Sequence, residues 1–88
     1  MKLRDGVEII EIEGDTAVVP TFEERIDLRR IYRLNPVSKM LIFALKKETD
    51  EEKLADLFCE NYDVSRQDAK RDISVFLNNI RELGFLEE

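Results

Sequence analysis

The stretch that most constrains this chain is residues 30–45, R-I-Y-R-L-N-P-V-S-K-M-L-I-F-A-L, where a short strand-like run breaks at Asn35-Pro36 and continues as a strongly apolar helix. Asparagine caps helices by accepting a backbone N–H, and proline suits the first helical position, where a missing N–H costs nothing and φ is already near the helical value. The junction is therefore a hard boundary, with β structure expected before it and α after it. From Val37 the apolar residues fall at Val37, Met40, Leu41 and Ala44, the i, i+3, i+4, i+7 stripe, and Ile42, Phe43 and Leu45 widen it. Such a helix belongs in the middle of a small fold, with the other elements laid around it.

Before the junction, residues 7–13, V-E-I-I-E-I-E, mix β-branched and acidic residues in near alternation. Gly14-Asp15 is a turn pair that suits a two-residue hairpin, with Thr16–Val19 as the return strand and Pro20 ending it or confining it to an edge. Thr21-Phe22-Glu23-Glu24 fits either a capped helical turn or a charged loop. Residues 29–34 form the next strand, and neither of its faces is cleanly apolar, which predicts an edge position.

After the first helix, Thr49-Asp50-Glu51-Glu52 has the T-x-x-E form of a capping box and opens a second helix with the stripe Leu54, Leu57, Phe58, ending near Asn61. Ser65-Arg66-Gln67-Asp68 opens a third in the same way. Its stripe is Ala69, Ile73, Phe76, Leu77, Ile80 and Leu83, and Gly84 stands where a left-handed residue ends a helix, so that Phe85 can fold back on Ile80. The order β-β-β-α-α-α over 88 residues predicts one α+β domain spanning 1–88: a winged-helix-like fold with an N-terminal three-stranded antiparallel sheet (about 7–34) followed by a three-helix bundle (about 36–84).

Composition narrows the function. The net charge of −6 without a single histidine disfavours broad binding to nucleic acid or anionic membrane, and it removes the commonest general base and metal ligand. A lone cysteine, Cys59, forms no intramolecular disulfide; it suits a reducing compartment and follows Phe58 as a packing thiol. With no signal peptide or membrane-spanning run expected, the cytoplasm is the default location. Adjacent acids at Glu23-Glu24, Glu51-Glu52 and Glu87-Glu88 point about 100° apart on a helix and make no preformed dyad. There is no Gly-rich phosphate loop and no Cys/His cluster, so neither an enzyme nor a cofactor or metal site is expected.

One residue breaks the pattern. Val75 projects almost opposite Ile73 and Ile80, in the company of Asp68, Asp72, Asn79 and Glu82, and should be exposed. If the edge strand and the third helix lie side by side, they bound a groove with Ile31, Tyr32 and Arg33 on one wall and Asp72, Val75, Phe76 and Asn79 on the other. An extended peptide can add itself there as a further strand.

The run R-I-Y-R-L-N-P-V-S-K-M-L-I-F-A-L, followed by D-E-E-K-L-A-D-L and D-I-S-V-F-L-N-N-I-R-E-L-G-F-L, resembles the PqqD family across most of residues 30–86. The resemblance implies a non-catalytic peptide chaperone of pyrroloquinoline quinone or other ribosomal peptide biosynthesis. Such a protein binds a precursor's leader on the third strand and third helix and presents it to a modifying enzyme, often a radical SAM protein. Two other classes compete with it. One is a winged-helix DNA-binding regulator using Arg66, Gln67, Lys70 and Arg71; the other is a homodimer or larger oligomer paired through the same strand edge.

Overall fold

The computed structural model describes residues 1–21 and 32–88. Its elements in chain order are β1 (Lys2–Leu3), β2 (Val7–Ile12), β3 (Asp15–Pro20), β4 (Tyr32–Leu34), α1 (Pro36–Ala44), α2 (Glu51–Asn61), α3 (Arg66–Glu82) and β5 (Leu86–Glu87). The expected α+β architecture is present: an antiparallel sheet in the order β2-β3-β4, and three helices. Of the expected strand over 29–34, the last three residues lie in β4; positions 29–31, and the choice between turn and loop at 22–24, fall outside the described residues.

The β2–β3 hairpin pairs Ile12 with Asp15, so the two turn residues are Glu13 and Gly14, one position earlier than the expected Gly14-Asp15. Both have positive φ, +50° and +86°, as a type I′ turn demands, and that turn matches the right-handed twist of the flanking strands. The gain in strand compatibility outweighs the cost of a left-handed glutamate. β3 is the middle strand and is buried from Thr16 to Pro20; the proline closes it opposite Val7. β4 pairs with β3 through Thr16–Leu34, Ala17–Arg33 and Val18–Tyr32.

Asn35 caps α1, its side-chain oxygen accepting from the Ser38 N–H at 2.8 Å, with Pro36 at the first helical position. The side of α1 that faces inward is Ser38, Leu41, Ile42 and Leu45, rotated about one position from the expected stripe, which leaves Val37, Met40 and Ala44 half-buried and Phe43 exposed. α2 is capped by Asp50, which accepts from the Lys53 N–H at 2.8 Å, rather than by Thr49. Thr49 instead donates its own N–H to the Met1 carbonyl at 2.9 Å. α3 begins as expected, with Ser65 Oγ accepting from the Asp68 N–H, and it ends in a Schellman motif. There the Phe85 N–H reaches Ile80 O and the Gly84 N–H reaches Arg81 O, both at 3.0 Å, with Gly84 at φ +78°.

A second small sheet was not foreseen: β1 and β5 pair antiparallel, Lys2 with Glu87 and Leu3 with Leu86. The Leu3 N–H also reaches the Leu45 carbonyl at the end of α1, and the Arg4 N–H reaches Phe85 O, each at 2.8 Å. Leu3 therefore enters the core. That core is one continuous cluster in which Leu3 and Val18 meet Leu41, Ile42 and Leu45 of the first helix, Leu54 and Phe58 of the second, Ile73, Phe76, Leu77 and Ile80 of the third, and Phe85.

Candidate peptide-binding cleft

The site is built from the junction that opens the sequence. β4 runs straight into the Asn35 cap, so the end of the strand and the first turns of α1 form one continuous wall. Across from it lies α3. Tyr32 of β4 meets Phe76 of α3 edge to face, ring centroids 6.1 Å apart and planes at 69°, which ties the two walls together at the bottom. Between them is a cleft of about 330 Å³ lined by Tyr32, Asn35, Val37, Ser38 and Leu41 on the strand and α1 side, by Phe58 of α2 beneath, and by Asp72, Val75, Phe76 and Asn79 on α3.

The residues singled out in the sequence fall as follows. Tyr32, Asp72, Val75, Phe76 and Asn79 come together in this cleft. Val75 is 57% exposed although its neighbours Ile73, Phe76 and Leu77 are buried, the out-of-stripe placement that helical geometry required. Arg33 does not line the cleft: residues alternate along a strand, so its side chain leaves from the other face and pairs with Asp15 at 2.9 Å. Ile31 lies outside the described residues. From the sequence Asn35 reads as a cap and Val37, Leu41 and Phe58 as core, while Ser38 has no assigned role. For Asn35, Val37, Ser38 and Leu41, connectivity was the available signal, since any groove beside β4 must continue along the helix that β4 enters. Phe58 carried none, because its spacing marks it only as buried.

In the sheet β2-β3-β4, β4 is the outer strand, hydrogen-bonded to β3 alone among the described residues. Among the described residues nothing pairs with its far edge, the side on which an incoming strand would add. The cleft offers an apolar floor (Leu41, Phe58, Phe76), an apolar rim (Val37, Val75) and polar groups at Asp72 and Asn79. This arrangement suits binding by shape and backbone pairing. Among the described residues no three His, Cys, Asp or Glu side chains gather to hold a metal ion.

The basic residues at the start of α3 are already engaged. Arg66 donates to Glu52 and Asp56, each at 2.6 Å, Lys70 donates to Glu52 at 2.5 Å, and Arg71 pairs with Asp68 at 2.9 Å. The hydrogen bond from Lys70, with a second from Arg66, holds the Glu52 carboxyl below its usual 4.5. The same bond to Glu52, joined by Asp56, raises the Arg66 guanidinium further above its ordinary range. Arg66 and Lys70 face acids of α2 and Arg71 faces an acid of α3, so a DNA phosphate approaching them meets those carboxylates as well.

Residues 23–86 match the family described as Coenzyme PQQ synthesis protein D (PqqD). This chain belongs to the PqqD family. No curated protein matches it. Two solved structures share the fold: one described as "TbiB1 in Complex with the TbiA(beta) Leader Peptide", with TM-score 0.79, 23% identity, and coverage of 99% of this chain and 95% of that one; and one described as "Lasso peptide synthetase B1 complexed with the leader peptide", with TM-score 0.76, 18% identity, and coverage of 99% and 96%. This PqqD-family chain thus has the fold of both over nearly their whole length. Among its described residues, no helix is long and apolar enough to cross a membrane.

Proposed function

We propose that this PqqD-family chain binds the leader segment of a ribosomally synthesised precursor peptide as an added strand on β4 and presents it to a modifying enzyme. The observation that carries the reading is the outer strand β4 facing α3 across an open cleft with an apolar floor. Main-chain hydrogen bonds to the strand edge would supply affinity, and the side chains of Tyr32, Asp72, Val75, Phe76 and Asn79 would supply selectivity; Arg33 contributes as a member of the paired strand. Family membership and the leader-bound proteins of the same fold support it.

In this role the domain performs no chemistry. The modifying enzyme, a radical SAM protein in our reading, carries the reaction, and a chain of this composition works in the cytoplasm. A homodimer through β4 is the competing use of the same edge, since self-pairing and peptide pairing exclude each other.

Fluorescence polarisation with labelled leader peptides of the precursors encoded beside this gene tests the proposal. A Kd of about micromolar or tighter is expected, within the range of modest interfaces. Sedimentation at several protein concentrations, with and without peptide, reports whether self-association competes. Failure to bind any neighbouring leader overturns the reading.

A further inference from the structure

α3 carries four cations, and each is committed away from the cleft: Arg66 and Lys70 to Glu52 and Asp56 of α2, Arg71 to Asp68, and Arg81 to Glu88. Arg71 is the sequence neighbour of Asp72, yet it turns back three residues to Asp68 at 2.9 Å. Asp72 is therefore left on the cleft wall as a carboxylate that, among the described residues, has no hydrogen-bond or ion-pair partner. The Asn79 side chain, two turns on along the same wall, likewise has none. Val75 and Phe76 lie between them. Among the described residues the cleft thus presents an apolar step flanked by a negative charge with no partner, in a protein whose net charge is already −6.

Resting on the leader-binding reading above, we propose that Asp72 selects the bound segment by charge: the peptide places an aliphatic or aromatic side chain against Val75 and Phe76 and a lysine or arginine opposite Asp72. The spacing follows from the two periodicities. Asp72 and Val75 are separated by about 4.5 Å along the helix axis, at 1.5 Å per residue. Side chains on one face of an extended peptide recur about every 6.8 Å. The long stem of lysine or arginine spans the difference, so the cation falls two positions from the apolar anchor, on the same face of the added strand. The rest of the acidic surface attracts the same kind of segment from a distance and speeds the encounter.

A displayed library of random 12-residue peptides, selected in parallel against the wild-type protein and Asp72→Lys, tests this. Wild-type selections should enrich lysine or arginine two positions from an apolar residue, and Asp72→Lys should replace that residue by aspartate or glutamate. A synthesised wild-type binder should lose about fivefold in affinity on Asp72→Asn, the scale of a partly exposed ion pair. It should weaken further on Asp72→Lys and recover when its own cation is reversed. Binders that lose affinity on Val75→Glu but bind wild type and Asp72→Lys alike overturn the charge selection and leave the leader-binding reading standing. Selections that yield no Val75-dependent binder overturn both. Because Asp72 is exposed on α3, unchanged far-UV circular dichroism is expected for its variants.

Discussion

Glu13 and Val75 both break local rules, and they differ in what the breach achieves. Glu13 sits at φ +50° in a turn that glycine or asparagine adopts more easily; a left-handed backbone costs an ordinary residue roughly 1–2 kcal/mol. Glu13→Asn should therefore raise stability by about 0.5–1 kcal/mol, read as a higher denaturation midpoint with an unchanged m-value. Val75 has no such structural reason. It is exposed on a helix whose other large apolar residues are inward, and it lies on the wall of the cleft. Val75→Glu should weaken leader binding about tenfold or more in a polarisation assay while leaving the melting temperature within a degree or two, since an exposed substitution removes no core contact. A loss of folding instead would place Val75 in the core.

At the scale of elements, the caps decide where helices begin, and two similar sequences resolve differently. Ser65 caps α3 as its S-x-x-D pattern predicts, whereas at T-x-x-E the cap moves one residue on, to Asp50. The reason is tertiary: the Thr49 N–H is bonded to the Met1 carbonyl, which holds Thr49 in the connection before α2 and leaves Asp50 to accept from Lys53. Asp50→Ala should cost about 1 kcal/mol and Thr49→Ala much less, a contrast that paired chemical denaturation measures directly.

The α2–α3 pair also responds to acid. Glu52 has a folded-state pKa below its unfolded value, through the bonds from Lys70 and Arg66. Its contribution is therefore complete above the unfolded value and is withdrawn as pH falls through the folded one. Stability should decline on acidification below about 4.5, and Glu52→Gln should flatten that decline in pH-dependent denaturation.

For the whole molecule, the short β1–β5 ribbon ties the first residues to the end of α3 and to the end of α1. Leu3 is the side chain that makes this tie energetic, since it is buried in the common core with Leu45 and Phe85. Leu3→Ala should cost about 2–3 kcal/mol, visible as a fall in the denaturant midpoint, because the cavity opens where three segments converge. Peptide affinity measured well below that midpoint should stay unchanged, as the ribbon lies apart from the residues lining the cleft.

Much of this was legible from residue order because it depends on near neighbours. Asn35-Pro36 set the strand-to-helix junction, Gly84 and Phe85 the end of α3, and the 100° rotation per residue the outward position of Val75. Three features depended on partners distant in sequence. The hairpin turn shifted to Glu13-Gly14 because strand twist, a property of the pair, chooses the turn. α1 rotated so that Ser38 and Leu45 faced inward, because β1 and the sheet determine which side is covered. β1 and β5 are two residues each, too short to show a period, and exist only because α3 delivers Phe85 beside Leu3. The cleft follows the same division: its α3 wall comes from periodicity and the wall from Asn35 to Leu41 from connectivity, while the contribution of Phe58 arises only when packing brings α2 against the other two elements.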